Sequence, residues 1–344
     1  MNEKMKKLKS LIAEVADLQA ASALLGWDQL VNMPEGGAED RGEQISTLEG
    51  LIHVKFTSDE IGRLIDDLRS DVKDMDPDSD DARYWKVTKR EYEKQTKVSP
   101  EFVAEFARVS TVAQSVWEKA KAKSDFKSFQ PHLEKLVELR RQYADFFKPW
   151  DHVYDPLLDD FEPGMKTVEV QEIFNTLRPK QVELIKAISG KPQVDRSFLS
   201  LEYPAEKQRE FGEMVISQFG YDWSHGRQDE SVHPFTSGFG LNDVRITTRF
   251  NPQYLPSALF STMHECGHAL YELGIDKKYN RSLLGSGASM AVHESQSRMW
   301  ENLIGRSKPF WTHYFPMLKE MFPSQLATSI WMPSTKGLTR WNLP

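Results

Sequence analysis

Apolar residues recur three and four positions apart through most of the first 220 residues, with charged residues between them, and this period predicts a series of amphipathic helices. Leu8, Leu11, Ile12, Val15 and Leu18 form the first stripe, which ends near Gly26. Further helices are expected over 59–71, 83–96, 99–122 and 128–147, the last with Pro131 in its first turn and Leu133, Leu136, Val137 and Leu139 on its apolar face. Two more are expected over 167–188 and 204–219. Turn chemistry separates them at Met33-Pro34-Glu35-Gly36-Gly37, Asp76-Pro77-Asp78, Glu162-Pro163-Gly164 and Gly190-Lys191-Pro192. The sequence has no internal repeat and no low-complexity tract.

Between 221 and 256 the texture changes. Val244, Ile246, Thr247, Thr248 and Phe250 are β-branched or aromatic and predict a short strand after Gly238 and Gly240. Pro252 and Pro256 then punctuate, and Ser257 is a candidate cap for a helix whose apolar positions run from Leu259 to Leu273 and stop at Gly274. A glycine-rich loop around Gly285-Ser286-Gly287 leads into a further helix, 289–304, closed by Gly305. Two helices joined by a loop thus follow the one evident strand, and the candidate chemistry sits at that junction.

Within the first of these two helices, His264-Glu265-Cys266-Gly267-His268 has the form HExxH. Four residues turn a helix by about 400°, so His264 and His268 project from one face a turn apart, which suits two ligands of a single tetrahedral Zn²⁺. Glu265 lies on the adjoining face, within reach of a metal-held water as general base. The extended HExxHxxGxxH form would need Gly at 271 and His at 274, where this chain has Tyr271 and Gly274, so that ligand set is excluded. The other common catalytic set is His₂Glu, with the carboxylate on a following helix. That helix carries His293-Glu294-Ser295-Gln296-Ser297-Arg298, with Glu294 30 residues beyond His264. Against this stands the plainer alternative of two exposed helix histidines and a solvated carboxylate. Three protein ligands would leave a fourth position for water, the catalytic rather than the structural arrangement.

Neighbouring residues leave more than one reading open. Asp243 and Arg245 are two apart on the expected strand and share a face, where either could orient a ligand imidazole or the Glu294 carboxylate, or the two could form an ordinary surface ion pair. His233, in His233-Pro234-Phe235, could bind substrate or anchor a turn, and the residues alone favour the turn. Cys266 points away from both histidines and reads as a small buried residue.

Composition narrows the class and the partners. The 44 Lys and Arg against 51 Asp and Glu give a net charge of −7, which offers no electrostatic footprint for nucleic acid. The mean hydropathy is −0.55, and no apolar stretch approaches the ~20 residues of a membrane span. The single cysteine permits no internal disulfide, and Glu14 and Asp17 interrupt any signal-peptide block, so a cytoplasmic location is expected. At roughly 150 residues per domain, length alone allows two domains or one large one.

Taken together, these residues resemble the carboxypeptidase Taq family of zinc metallocarboxypeptidases. The likeness is ordered along residues 1 to about 326. It runs through Trp27-Asp28 with Met33-Pro34, then Leu157-Leu158-Asp159-Asp160-Phe161-Glu162-Pro163-Gly164, His233-Pro234-Phe235 and Asp243-Val244-Arg245-Ile246-Thr247, to the HExxH run and His293-Glu294-Ser295-Gln296. The resemblance implies a mainly α, zincin-like helical fold with a small β-sheet lining a deep groove. It implies a homodimer that removes single residues from peptide C-termini with broad specificity, using Zn²⁺ or Co²⁺. It assigns Glu294 as third ligand and Glu265 as catalytic base, and it favours ligand-orienting or substrate-binding roles for His233, Asp243, Arg245 and His293. One catalytic domain over 1–326 is expected on this basis.

The end of the chain departs from the family. An Ile-Arg-x-x-Ala-Asp segment, whose arginine is expected to hold the substrate carboxylate, and a later Gly-x-x-Gln segment are absent from the sequence. The residues from Ala327 to Pro344 also lose the amphipathic period. Back-translated one base earlier, Pro333-Ser334-Thr335-Lys336-Gly337-Leu338 can encode Phe-Tyr-Lys-Gly-(Leu or Ile), and the following residues to Pro344 can encode Asn-Lys-Val-Glu-Pro-Ser, which is similar to the family's own continuation. A frameshift near Leu326 or Ala327 is therefore expected, which sequencing the gene checks. The alternative to an active carboxypeptidase is then a catalytically silent, truncated fragment that keeps its metal, with apolar surface left uncovered. An aminopeptidase or endopeptidase is the third reading, because a metal set does not choose which peptide bond is cut.

Overall fold

Helices dominate, as the period predicts, and a three-stranded sheet is the only extended structure among the described residues. The computed structural model describes residues 3–192 and 195–326, so the expectation placed on 327–344 lies outside the described residues. Among the described residues no helix is long and apolar enough to cross a membrane. Within the stretch expected to form one catalytic domain, the backbone gathers into two compact units. Of the described residues, the first comprises those up to Leu157 with Gly238–Asp243 and Ile275–Ala288; the second comprises the other described residues.

In the first unit the opening stripe is core: Leu8, Leu11, Ile12 and Val15 are buried with Met5 against Ile52, Phe56, Ile61 and Ile65. The helix continues past Gly26 to Val31, because a glycine inside a helix costs only about 1 kcal/mol and Trp27 buries one residue later. The helix Ala38–Phe56 escaped the periodic reading: its sequence is polar overall, and it exposes Leu51 and Val54 while burying Ile52 and Phe56. The expected 59–71 helix divides into Asp59–Asp67 and Arg69–Lys73 about the fully buried Leu68. The helix Phe126–Asp145 begins early on the Asp125 cap, which moves Pro131 out of the first turn and into the helix body.

The second unit carries the sheet and its helical backing. Strands β1 (Gln228–Glu230), β2 (Thr236–Gly238) and β3 (Val244–Thr248) lie in the order β1-β3-β2, with β1 parallel to β3 in the register Gln228↔Ile246. Only β3 was legible, since β1 and β2 are three residues each and read Gln-Asp-Glu and Thr-Ser-Gly. Val244 and Ile246 of β3 pack with Cys266 and Ala269 of the helix Leu255–Leu273 and with Ile216 and Tyr221. A larger core gathers Phe211, Val215, Leu259, Phe260 and Met263 around Trp311, Phe315 and Leu318. Trp311 and Phe315 belong to Lys308–Met321, a helix that was not anticipated. The expected helix at 167–188 is present as Thr167–Ser189 and buries no residue; Ile173, Phe174 and Leu184 on it are all more than half exposed.

Candidate metal centre

The helix Leu255–Leu273 is buried on most of its circumference, which inverts the usual amphipathic pattern. It starts ahead of the expected Ser257 cap, with Pro256 in its first turn, and stops at Gly274. His264, His268 and then Tyr271 and Glu272 form its partly open stripe, spaced three or four residues from one turn to the next. Glu265 and Cys266 fall on the buried side, and burial pushes the Cys266 thiol well above its ordinary range, so it is inert.

The second ligand-bearing helix, Met290–Arg298, crosses the first at Gly267. A Cβ at Gly267 would stand 2.6 Å from Ser297 Cα and 3.1 Å from the Gln296 carbonyl oxygen, so only glycine lets the two backbones meet there. Gly267→Ala is expected to force these helices apart, costing about 1–3 kcal/mol of stability and weakening metal binding. Chemical denaturation and chelator competition check this, and an unchanged variant would contradict the close crossing.

The start of Met290–Arg298 is held from both directions. Ser289 caps it by accepting from the Val292 N–H. The Met290 N–H donates to the Phe161 carbonyl at 2.8 Å, and the Ala291 N–H donates to the Glu162 carboxylate at 3.0 Å. The 157–164 motif therefore closes the first turn of the helix that bears Glu294, and the Glu162 charge sits favourably at its positive end. Beyond Arg298 the chain widens into a π-helix over Met299–Ile304, which presents Glu301 to the site.

Together these elements bring His264, His268 and Glu294 to one point. Their candidate donor atoms all lie within 4.8 Å of one another. His264 Nε2 and His268 Nε2 are 3.2 Å apart, and they stand 3.7 and 3.8 Å from the two Glu294 oxygens. Donors on one tetrahedral Zn²⁺ at about 2.0–2.1 Å are separated by about 3.3 Å, so this set fits a divalent ion of that size. The histidine side chains are 17% and 12% exposed, Glu294 44%, which leaves the point open on one side.

Each imidazole is also fixed from behind. His264 Nδ1 lies 2.9 Å from Glu301 Oε2, and Glu301 is in turn held by Arg306 and, at 3.1 Å, by Arg298. Burial would raise the Glu301 carboxyl, but the hydrogen bonds from His264 and Arg306 outweigh it and keep it ionised below its ordinary range. Burial likewise acts to lower His264, yet Glu301, Glu265 and Glu294 together raise it. Burial, reinforced by His264 and His293, pushes His268 down to about 4, so it stands neutral and able to ligate at pH 7.

Glu265 is 6% exposed, and its Oε2 accepts from the Thr236 hydroxyl at 2.7 Å. Burial pushes its carboxyl up to about 7, with Glu294 and Glu301 adding to the rise and Thr236 and His264 opposing it. A carboxyl poised there can take and return a proton at neutral pH.

Of the remaining sequence candidates, His293 is in hydrogen-bond contact with a candidate ligand. His233 is exposed, and its backbone carbonyl accepts from the Ser231 hydroxyl at 2.7 Å. Arg245 is the second residue of β3, whereas Asp243 precedes that strand and closes the Gly238–Asp243 turn of the first unit. His293 is at the site, beside His268. Glu301, Glu272 and Thr236 had not been singled out. Glu272 follows His268 by four positions and Glu301 follows Glu294 by seven, so helix spacing could have found both; Thr236 reaches Glu265 from another element and left no local signal.

An HExxH helix joined to a glutamate from the next helix, within a mainly helical unit, is the layout of HExxH-plus-glutamate metallopeptidases. Comparison with known proteins agrees. Residues 7–333 match the model of the carboxypeptidase Taq (M32) metallopeptidase family, and the chain belongs to that family. It is 38% identical over 323 residues to Carboxypeptidase 1 of Bacillus subtilis (strain 168), covering 93% of this chain and 64% of that relative. The chain thus spans a little under two thirds of the length of that curated relative. Among solved structures it superposes on the M32 carboxypeptidase from Deinococcus radiodurans R1 with a TM-score of 0.87 at 40% identity, covering 98% of this chain and 67% of that one. It superposes on the BsuCP crystal structure with a TM-score of 0.94 at 36% identity, covering 97% and 67%.

Proposed function

We propose that the chain holds a divalent metal at His264, His268 and Glu294 and hydrolyses the last peptide bond of peptide substrates, with Glu265 as general base. The observation that carries this is the convergence of two imidazole nitrogens and a carboxylate beside a buried carboxyl. Two nitrogens and one oxygen suit Zn²⁺, with Co²⁺ as a substitute. When bound, the ion supplies Lewis-acid polarisation of the scissile carbonyl and acidifies the attacking water. Thr236 holds Glu265 Oε2, which leaves Oε1 to take the water's proton and later return it to the departing amine. Glu301, braced by Arg306 and Arg298, keeps His264 Nδ1 protonated and its Nε2 lone pair directed at the ion. The family likeness extends the proposal to broad specificity, a cytoplasmic homodimer, and substrate or ligand-orienting roles for His233, Asp243 and Arg245.

The test is a peptide offered in three forms: free, N-acetylated and C-amidated. Stepwise loss of C-terminal residues is expected from the first two and not from the third, abolished by a chelator and restored by Zn²⁺. Cleavage blocked by acetylation would make the chain an aminopeptidase, and internal cuts an endopeptidase. Stoichiometric metal without release of any residue would leave a metal-holding but catalytically silent chain.

A further inference from the structure

We propose that Glu272 and His293 are positioning residues that fix the tautomer of His268 through a directional hydrogen-bond relay; this rests on the metal reading given above. His293 lies between the two groups. Its Nδ1 is 2.7 Å from His268 Nδ1, and its Nε2 is 2.7 Å from Glu272 Oε1. Each contact needs one donor and one acceptor, and a carboxylate only accepts. His293 Nε2 therefore carries the proton it gives to Glu272, which in the neutral imidazole leaves His293 Nδ1 bare. A bare Nδ1 accepts from His268, so His268 carries its proton on Nδ1 and presents an unprotonated Nε2 beside His264 Nε2 and Glu294. The opposite direction would set a bare His293 Nε2 against the Glu272 oxygen, two lone pairs at 2.7 Å.

The relay is held in place by its surroundings. Tyr271 packs edge-on against the His293 ring, with centroids 4.8 Å apart. The side chains of His293 and Glu272 are 17% and 19% exposed, so water competes weakly for their polar atoms. Both flanks come from the ligand helices themselves: Glu272 stands one turn beyond His268, and His293 immediately precedes Glu294. The two metal-facing imidazoles are thus oriented differently, His264 by a carboxylate directly and His268 by a carboxylate acting through a second imidazole. A histidine ring in water favours the proton on Nε2, so without the relay His268 must change tautomer before it can bind an ion through that nitrogen.

Two readouts on the full chain test this, one of which needs no metal. Ring-nitrogen NMR of ¹⁵N-histidine-labelled, metal-free protein at pH 8 should show His268 protonated on Nδ1 and bare on Nε2. His293→Phe should return His268 to mainly Nε2–H and weaken Zn²⁺ binding by about 10–100-fold in chelator competition. Glu272→Gln, nearly isosteric, can donate as well as accept, and should give mixed tautomers and a smaller loss. The double variant should be no weaker than His293→Phe alone, because the path from Glu272 runs through His293. An Nε2–H tautomer in the parent chain, parent-like affinity in both single variants, or additive losses in the double variant would each overturn the relay. If the parent chain takes up no Zn²⁺, the metal reading fails, and the tautomer measurement still decides the relay.

Discussion

Replacing Glu265 by glutamine is expected to cut release of C-terminal residues by about 10²–10⁴-fold while leaving Zn²⁺ affinity within a few-fold of the parent. The amide keeps the shape of the side chain and can still accept from Thr236, but it takes no proton from water. His264, His268 and Glu294 are untouched, so metal content separates this effect from loss of the site. The same variant carries a second signature in the metal-free chain. The folded-state Glu265 carboxyl sits near 7 against an ordinary 4.5, chiefly through burial. Between those values the folded chain holds a proton that the unfolded chain has released, so stability falls as pH rises across that window and stays lost above it. Glutamine has no such proton to lose. Metal-free Glu265→Gln should therefore be more stable than the parent at pH 8, by about 3 kcal/mol at most, with the gap closing as pH falls towards 5. His268, pushed down to about 4, acts in the opposite sense but is common to both proteins and cancels. Thermal denaturation of chelator-treated protein at the two pH values measures this. Equal stabilities at pH 8 would mean that Glu265 is not the buried, poised carboxyl described above.

The second large effect belongs to Glu294. Truncating it to alanine is expected to weaken metal binding by more than the 10–100-fold that an outer partner is worth, and to abolish turnover at ordinary zinc levels. Fold stability should hold, because the side chain is 44% exposed, Ser297 and Arg298 lie on its own helix, and its approaches to His264 and His268 on the neighbouring helix are long, 3.7 and 3.8 Å. Titration against a zinc indicator reads the affinity, and a melt without metal reads the fold. Retained tight binding would remove Glu294 from the ligand set and leave two histidines with some other third donor.

What the sequence made legible follows from where the information was local. His264, Glu265 and His268 fall within five consecutive residues of one helix, so periodicity alone placed two imidazoles on one face, and Glu294 followed from what remained of the possible ligand sets. The helices were legible wherever an apolar stripe was continuous, as at Leu8 to Leu18. Ala38–Phe56 was lost because its sequence is polar overall, and Lys308–Met321 was not anticipated although it buries Phe310, Trp311, Tyr314, Phe315 and Leu318. Strands β1 and β2 carry three polar or small residues each and take their shape from pairing with β3, which no local pattern encodes. The groups that orient the site were hidden for the same reason. Thr236 meets Glu265 from 29 positions away, and the 157–164 motif reveals its purpose only when Phe161 and Glu162 are seen closing the first turn of Met290–Arg298. Gly267 looked like one of two unspecified positions in HExxH, yet its missing Cβ is what admits the second ligand helix.

The central claim is that one divalent ion sits between His264, His268 and Glu294. Crystals of the chain grown with Zn²⁺ and measured on both sides of the zinc absorption edge test it most directly. The account predicts a single strong anomalous peak at about 2.0–2.2 Å from His264 Nε2, His268 Nε2 and a Glu294 oxygen, with Nδ1 of each histidine turned away from it. A peak at other residues, a peak bound through Nδ1, or none at saturating zinc would contradict it.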